Sequence, residues 1–181
     1  FAHLPLLLNA DRSKLSKRQG DVAVEDYRGA GYLPEALVNF VALLGWNPGD
    51  DREIFSLEEL VREFSLERVG KAGAIFNVDK LKWINQQHLR RLDTAVIVEK
   101  VKPSLTRAGI NWRDDAYLEK VITVMRDRLT SFEDFNSFAL YFFADPETYD
   151  EAARKKNWSE ESAAHVAALA GKLEGSGEFT E

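Results

Sequence analysis

The stretch that decides the fold reads PEALVNFVALLG and runs from residue 34 to residue 45. Pro34 stands where proline is favoured, at the first position of a helix. The apolar residues that follow recur at the spacing of one helical face. Gly45 then predicts the end of the helix, because glycine is favoured just beyond a C-terminus. This stretch therefore predicts an α-helix of about three turns.

Capping signals continue along the chain. Ser56 and Glu59 have the spacing of a capping box and predict a short helix to about residue 64. Ser131 precedes acidic residues and predicts another N-terminus. Ser159 is the predicted N-cap of a last helix, which we expect to run to about residue 173. Helices are thus indicated in three separate parts of the chain.

The spacing of apolar residues predicts further helices between these caps. It predicts helices over residues 79–92 and 114–129, each with apolar residues on one side. A further helix is predicted from Thr94, interrupted or ended near Pro103, because an internal proline removes a helical hydrogen bond. Residues 1–9 predict a short buried strand, and residues 10–20 a polar, basic loop. We therefore predict a mainly α fold, a helical bundle after a short strand–loop segment, with any strand confined to about the first 35 residues.

Composition excludes several kinds of site. The chain has no Cys, which excludes disulfides and thiolate metal sites and favours a reducing compartment. Its three histidines, at positions 3, 88 and 165, lack the spacing of metal ligands, so no metal site is predicted. No apolar run approaches the roughly 20 residues that a membrane-spanning helix needs. We expect a cytoplasmic monomer without a membrane segment.

Charge is distributed unevenly. The chain has a net charge of −6, but residues 80–128 hold 11 Lys and Arg against 6 Asp and Glu. Residues 145–181 hold 4 against 9. A basic middle in an acidic chain is compatible with a local surface that binds a polyanion. From charge alone, ordinary solvated helix surfaces are the favoured explanation.

One short basic motif carries chemistry. Residues 14–20 read KLSKRQG, which places two lysines three positions apart around a serine. Two ammonium groups on a loop suit a triphosphate, since each point charge can follow the charge on the phosphates. When a carboxylate attacks the α-phosphate of ATP, such donors stabilise the negative charge that develops. The motif alone is also typical of a solvated loop.

The surroundings of the motif resemble glutamyl-tRNA synthetases, which are class I aminoacyl-tRNA synthetases. Residues 3–9 (HLPLLLN) and 13–18 (SKLSKR) are similar to the family's strand and lysine signature loop, whose common form is Lys-Met-Ser-Lys-Ser. The resemblance continues through residues 31–46 (GYLPEALVNFVALLGW) and 76–85 (FNVDKLKWIN). It covers the chain to about residue 95, and the remaining pattern is compatible.

The resemblance implies an ATP-dependent ligase that activates glutamate and attaches it to the 3′ end of tRNA(Glu), with ATP and Mg²⁺ as cofactors. It implies catalytic roles for Lys14 and Lys17, and ATP binding by Lys14, Ser16, Lys17 and Arg18. Arg18 departs from the commoner serine. The family's His-containing signature, the other half of its ATP site, is not in this sequence. We therefore expect the chain to be a C-terminal fragment that is inactive alone.

The resemblance also places tRNA contacts in the basic middle of the chain. The candidates, chosen by position and charge, are Lys80, Lys82, Arg90, Arg91 and Arg107. They cannot all share one face, since residues 90 and 91 diverge by about 100° around a helix. At least one is therefore expected to serve structure.

Three domains are expected. Residues 1–33 are the remnant of the nucleotide-binding catalytic domain, 34–92 a helical stem-contact region, and 93–181 a helical anticodon-binding region truncated at its C-terminus. A nondiscriminating glutamyl or a glutaminyl-type synthetase is the nearest alternative, although usual glutaminyl enzymes have β-barrels where helices are predicted here. The other alternative is a helical tRNA-binding module without catalysis, which would have no need of an ATP loop.

Overall fold

The fold is mainly α, as predicted. The computed structural model describes residues 5–16, 23–146 and 148–175. The helices and strands within these residues are β1 (Leu7–Leu8), α1 (Val24–Gly29), α2 (Pro34–Leu43), α3 (Leu57–Glu63), β2 (Ala74–Ile75), α4 (Val78–Leu89), α5 (Thr94–Arg107), α6 (Asp115–Met125), α7 (Phe132–Phe138), α8 (Glu151–Asn157) and α9 (Glu160–Glu174). Short 3₁₀ turns follow α3, α6 and α7.

The chain divides into two compact units, residues 1–143 and residues 144–181. The core of the larger unit lies where α2 packs on α4 and where α5 packs on α6 and α7. Phe40, Ile84, Ile97, Leu118 and Phe135 are almost fully buried there. Burying a side chain of this size contributes roughly 1.5–3 kcal/mol. This core fixes the helices on which the candidate site residues lie.

The predicted helix starts are confirmed. Pro34 is at the start of α2. Ser56 and Glu59 form a reciprocal capping box, in which the Glu59 N–H donates to the Ser56 hydroxyl over 3.2 Å. Ser131 and Ser159 accept from backbone N–H groups at the starts of α7 and α9. Each side-chain cap satisfies a donor that the helix itself leaves unpaired.

The strand prediction was partly wrong. Leu7 and Leu8 do form a strand, but it pairs in parallel with β2, at residues 74 and 75, far beyond the first 35 residues. Leu7 is also exposed, so the strand is not fully buried. Parallel pairing joins segments distant in sequence, which local periodicity cannot reveal.

Pro103 does not end its helix, although the sequence analysis allowed that the helix from Thr94 ends near it. It lies exposed inside α5, which continues to Arg107. Val101 and Leu105, on either side of it, are fully buried. Their packing holds the helix together across the hydrogen bond that proline removes. Tertiary burial therefore outweighs the local helix-breaking tendency.

The smaller unit consists of α8 and α9. Asp150 caps α8 through the Ala153 N–H over 2.6 Å. None of its described residues is buried, and Val166, Leu169 and Leu173 of α9 are exposed. Across the described parts of both units, no helix combines the length and the apolar character that crossing a bilayer requires.

Candidate ATP and tRNA site

A tight turn precedes the lysine motif. The Asn9 N–H donates to the Ser13 carbonyl over 2.8 Å, and Arg12 adopts a left-handed conformation with φ of 66°. The Ser13 hydroxyl and N–H both donate to Asp11 Oδ1, over 2.6 and 2.9 Å. These bonds hold the pKa of Asp11 below its usual value, because they favour the charged carboxylate. The turn reverses the chain and returns it alongside β1.

This reversal anchors the backbone of Lys14. Lys14 forms an antiparallel bridge with Leu8, and the Leu15 N–H donates to the Leu7 carbonyl over 2.9 Å. The Lys14 side chain is exposed and Ser16 is half-buried. Lys17 and Arg18 lie outside the described residues. The structure thus places the first lysine of the motif on a hydrogen-bonded backbone with its ammonium group accessible.

The strand pair also connects the motif region to α4. β2 runs next to β1, and three residues after β2 the chain enters α4. Asn77 caps this helix by accepting from the Lys80 N–H over 3.1 Å. The lysine motif and the first basic candidate for tRNA binding therefore lie on segments joined by one strand pair.

Three of the five basic candidates are engaged in ion pairs. Lys80 pairs with Glu53, and Arg107 pairs with Glu133. Arg90 lies 3.3 Å from Asp127 and also donates to the Asp127 carbonyl. All three keep a substantial exposed fraction, so these pairs are weak and can exchange for phosphate contacts.

Lys82 and Arg91 differ from the other candidates. Both are exposed, and neither forms an ion pair with any residue that the structure describes. Lys82 points about 200° around α4 from Lys80, so the two do not share a face. The five candidates therefore form no single patch, and Lys82 and Arg91 are the cations most available to a phosphate.

Arg126 belongs to the same basic stretch and has a structural role that its sequence position did not reveal. Its guanidinium donates to the carbonyls of Arg90 and Leu92 and to the Thr94 hydroxyl. It therefore holds the turn between α4 and α5 against the end of α6. A count of charges cannot distinguish such an arginine from a ligand-binding one.

Buried polar side chains connect α2, α4 and the loops around them. Asn39 accepts from the Phe55 N–H over 2.9 Å and donates to the Glu53 carbonyl over 3.1 Å. His88 Nε2 lies 3.0 Å from Asn39 Oδ1. Burial lowers the pKa of His88, and the positive charge of Arg91 lowers it further. Sequence analysis did not identify this network, since its partners are far apart along the chain.

Two family profiles match the chain in succession. Residues 1–83 match the catalytic domain of class I tRNA synthetases of the glutamate and glutamine type, and residues 96–181 match an anticodon-binding domain. The lysine motif lies in the first range. Lys80 and Lys82 lie near the end of the first range, Arg90 and Arg91 lie between the two ranges, and Arg107 lies in the second.

Similar proteins agree with this assignment. A glutamate–tRNA ligase of Prosthecochloris aestuarii is 52% identical over 99% of this chain, and one of Chlorobaculum parvum is 51% identical over 99%. A crystal structure of a glutamate–tRNA ligase from Elizabethkingia meningosepticum, in complex with its amino acid, superposes with a TM-score of 0.80 at 38% identity. That match covers 93% of this chain and 37% of the solved chain.

The chain belongs to the class I aminoacyl-tRNA synthetases. Within that class it belongs to the glutamyl-tRNA synthetase family, and it spans 38% of the length of each of the two curated relatives. The predicted family is confirmed. The predicted domain boundaries at residues 33 and 92, and the predicted site residues, stay predictions.

Proposed function

We propose that the whole protein is a glutamate–tRNA ligase. A carboxylate oxygen of glutamate attacks the α-phosphorus of ATP, the bond to the bridging oxygen breaks, and pyrophosphate leaves. A hydroxyl of the terminal adenosine of tRNA(Glu) then attacks the carbonyl of the adenylate, and AMP leaves. The relatives' names and the two matched domains support this proposal.

Lys14 and Lys17 are assigned to the first of these steps. Negative charge grows on the phosphate oxygens and on the leaving pyrophosphate, and positioned ammonium groups stabilise it in the transition state. The accessible side chain of Lys14 on an anchored backbone is the single observation in the structure that favours this role. Ser16 and Arg18 are assigned to shaping the loop around ATP.

Lys80, Lys82, Arg90, Arg91 and Arg107 are assigned to phosphates of the tRNA. Lys82 and Arg91 need break no described ion pair to do so, and the other three exchange a carboxylate for a phosphate. Such contacts fix the position of the nucleic acid without reading its sequence. They suit contacts at separate points along the tRNA backbone, since the five side chains form no single patch.

ATP is expected to bring Mg²⁺. Among the residues that the structure describes, no three His, Asp or Glu side chains come together as a ligand set for the ion. Mg²⁺ is commonly held largely by the phosphates of its nucleotide and by water.

The segment is proposed to be inactive alone, because the other half of the ATP site is not in this sequence. The whole protein is proposed to be a cytoplasmic monomer. Its mass by light scattering tests the monomer, and aminoacylation by residues 1–181 alone would contradict the inactivity.

The deciding experiment compares charging of tRNA(Glu) and tRNA(Gln) with glutamate by the whole protein. Charging of tRNA(Glu) alone supports a discriminating glutamate–tRNA ligase. Charging of both supports the nondiscriminating alternative, and attachment of glutamine supports a glutaminyl-type enzyme. Binding of tRNA without any ATP-dependent charging would support the noncatalytic module and overturn the proposal.

A further inference from the structure

A buried asparagine joins the two matched domains. Asn85 is fully buried on α4, between the ranges that match the catalytic and the anticodon-binding families. Its Oδ1 accepts from the Leu33 N–H over 2.9 Å, and its Nδ2 donates to the Thr130 carbonyl over 2.6 Å. Leu33 belongs to the first range and Thr130 to the second. One side-chain amide therefore bridges backbone groups of both.

A close backbone contact lies beside this bridge. Gly31 has φ of 79°, and its carbonyl accepts from the Phe132 N–H over 3.3 Å. A Cβ at Gly31 would lie 2.9 Å from the backbone nitrogens of Phe132 and Glu133. The loop before α2 thus rests directly on the start of α7. We call Gly31, Leu33, Asn85, Thr130 and Phe132 the Asn85 joint.

The joint supplies direction that apolar packing lacks. Hydrophobic attraction is nondirectional and by itself selects no single angle between packed helices. Hydrogen bonds to two fixed backbone groups permit one orientation of the amide and hence one orientation of the segments it joins. Satisfied buried polar networks of this kind rigidify a core.

The angle held by this joint matters for a reaction between two distant ligands. A rotation of about 3° displaces a point about 20 Å away by about 1 Å, and a misplacement of about 1 Å can cost about 100-fold in rate. ATP chemistry is assigned to the first range, and anticodon-side contacts to the second. On the proposed function, the angle between these two parts decides where the end of a bound tRNA meets the adenylate.

We propose that Asn85 is a positioning residue that fixes the angle between the catalytic part and the anticodon-binding part. The functional consequence rests on the proposed function, whereas the structural one does not. Loss of the amide leaves the two parts folded but lets them rotate against each other.

A distance measurement on the 181-residue chain tests the structural part. The chain has no Cys, so spin labels can be placed selectively at Val61→Cys on α3 and Val124→Cys on α6, both exposed positions. Pulsed dipolar spectroscopy then gives the distribution of distances between the two parts. In Asn85→Ala we expect a distribution at least about two-fold wider, since a rigidifying network is lost.

Asn39 provides the matched control. It is also fully buried and bonds one backbone N–H, one backbone carbonyl and the His88 ring, but Phe55 and Glu53 lie in the first range and His88 lies outside the second. Asn39→Ala should cost similar stability and leave the distance distribution unchanged. Asn85→Asp keeps an acceptor for Leu33 and loses the donor to Thr130, and it provides a second variant if Asn85→Ala does not fold. Equal distributions in the Asn85 and Asn39 variants would overturn the proposal.

Charging by the whole protein tests the functional part. Asn85→Ala should lower kcat for charging by about 10- to 100-fold, with the KM for ATP and glutamate unchanged. Asn39→Ala at the same fraction folded should retain kcat. Equal losses of kcat in the two variants would show an effect of stability and would contradict a positioning role for Asn85. If the unsubstituted protein charges no tRNA, the proposed function fails, and the label distances still decide whether Asn85 fixes the angle.

Discussion

His88 Nε2 lies 3.0 Å from Asn39 Oδ1 inside the core that joins α2 to α4. The amide oxygen accepts, so the bond requires a proton on Nε2, and the second ring nitrogen carries none in the neutral form. Burial and the charge of Arg91 lower the pKa of His88, and Glu35 raises it by less. The folded protein therefore prefers the neutral imidazole.

This preference predicts a pH dependence of stability. The folded-state pKa is lower than the unfolded value of about 6.5. The unfolded chain therefore binds more protons between the two values, and stability falls as pH decreases below about 6.5. Denaturant unfolding between pH 7 and pH 5 measures the effect. His88→Gln should remove most of it, whereas His165→Gln, at an exposed site, should not. An unchanged slope in His88→Gln would contradict the assignment.

Gly31→Ala should be much more destabilising than Gly109→Ala. Both glycines have positive φ, 79° and 69°, so both substitutions cost about 1–2 kcal/mol in backbone strain. Only at Gly31 would the added Cβ meet backbone atoms, 2.9 Å away in α7, whereas Gly109 has nothing within 4 Å. Thermal unfolding of residues 1–181 compares the two. Equal losses of stability would mean that the contact between the loop and α7 is dispensable.

Lys17→Ala in the whole protein should slow adenylate formation by about 100-fold or more, because its charge acts mainly in the transition state. Glutamate affinity should change little, as expected for an interaction absent from the ground state. Pyrophosphate exchange with tRNA present measures the rate. Lys14→Ala should have an effect in the same direction, and Lys71→Ala, also exposed in the first matched range, is the control. An unchanged rate in Lys17→Ala removes it from the mechanism.

Lys82→Ala and Arg91→Ala should each lower the slope of log affinity for tRNA against log salt by about 1, as expected for one lost phosphate contact. Lys80→Ala, Arg90→Ala and Arg107→Ala should have smaller effects on the slope, since each side chain is already paired with a carboxylate. Arg62→Ala on α3 is the control. If all five variants retain the parent slope, this stretch does not contact phosphates.

Local signals predicted much of the fold because they depend on neighbouring residues. Pro34, Ser56, Ser131 and Ser159 begin helices where their chemistry indicates. α1 was not predicted, since six residues provide too little apolar periodicity. Local sequence patterns could not predict features that depend on distant partners, such as β2 and the continuation of α5 through Pro103.

For the candidate site too, the sequence shows what depends on neighbouring residues and does not show what depends on distant ones. The lysine motif is contiguous, so the sequence shows it directly. The roles of the basic residues depend on partners far away, as with Lys80 and Glu53 or Arg107 and Glu133. Charge and position in the sequence make the five candidates equivalent. Only the fold distinguishes the three that form ion pairs from Lys82 and Arg91.

The parallel pairing of β1 with β2 joins positions 67 apart in the chain. Closing so long a loop costs entropy that is recovered only after intervening segments have packed, and α2 on α4 is the packing that brings β2 into place. During synthesis, β1 therefore emerges from the ribosome well before its partner exists. Its backbone N–H and C=O groups remain unpaired meanwhile, and an unpaired strand edge is prone to aggregate. The segment that anchors Lys14 is thus made early and docked late, and we expect this interval to be when the newly made chain most needs a chaperone.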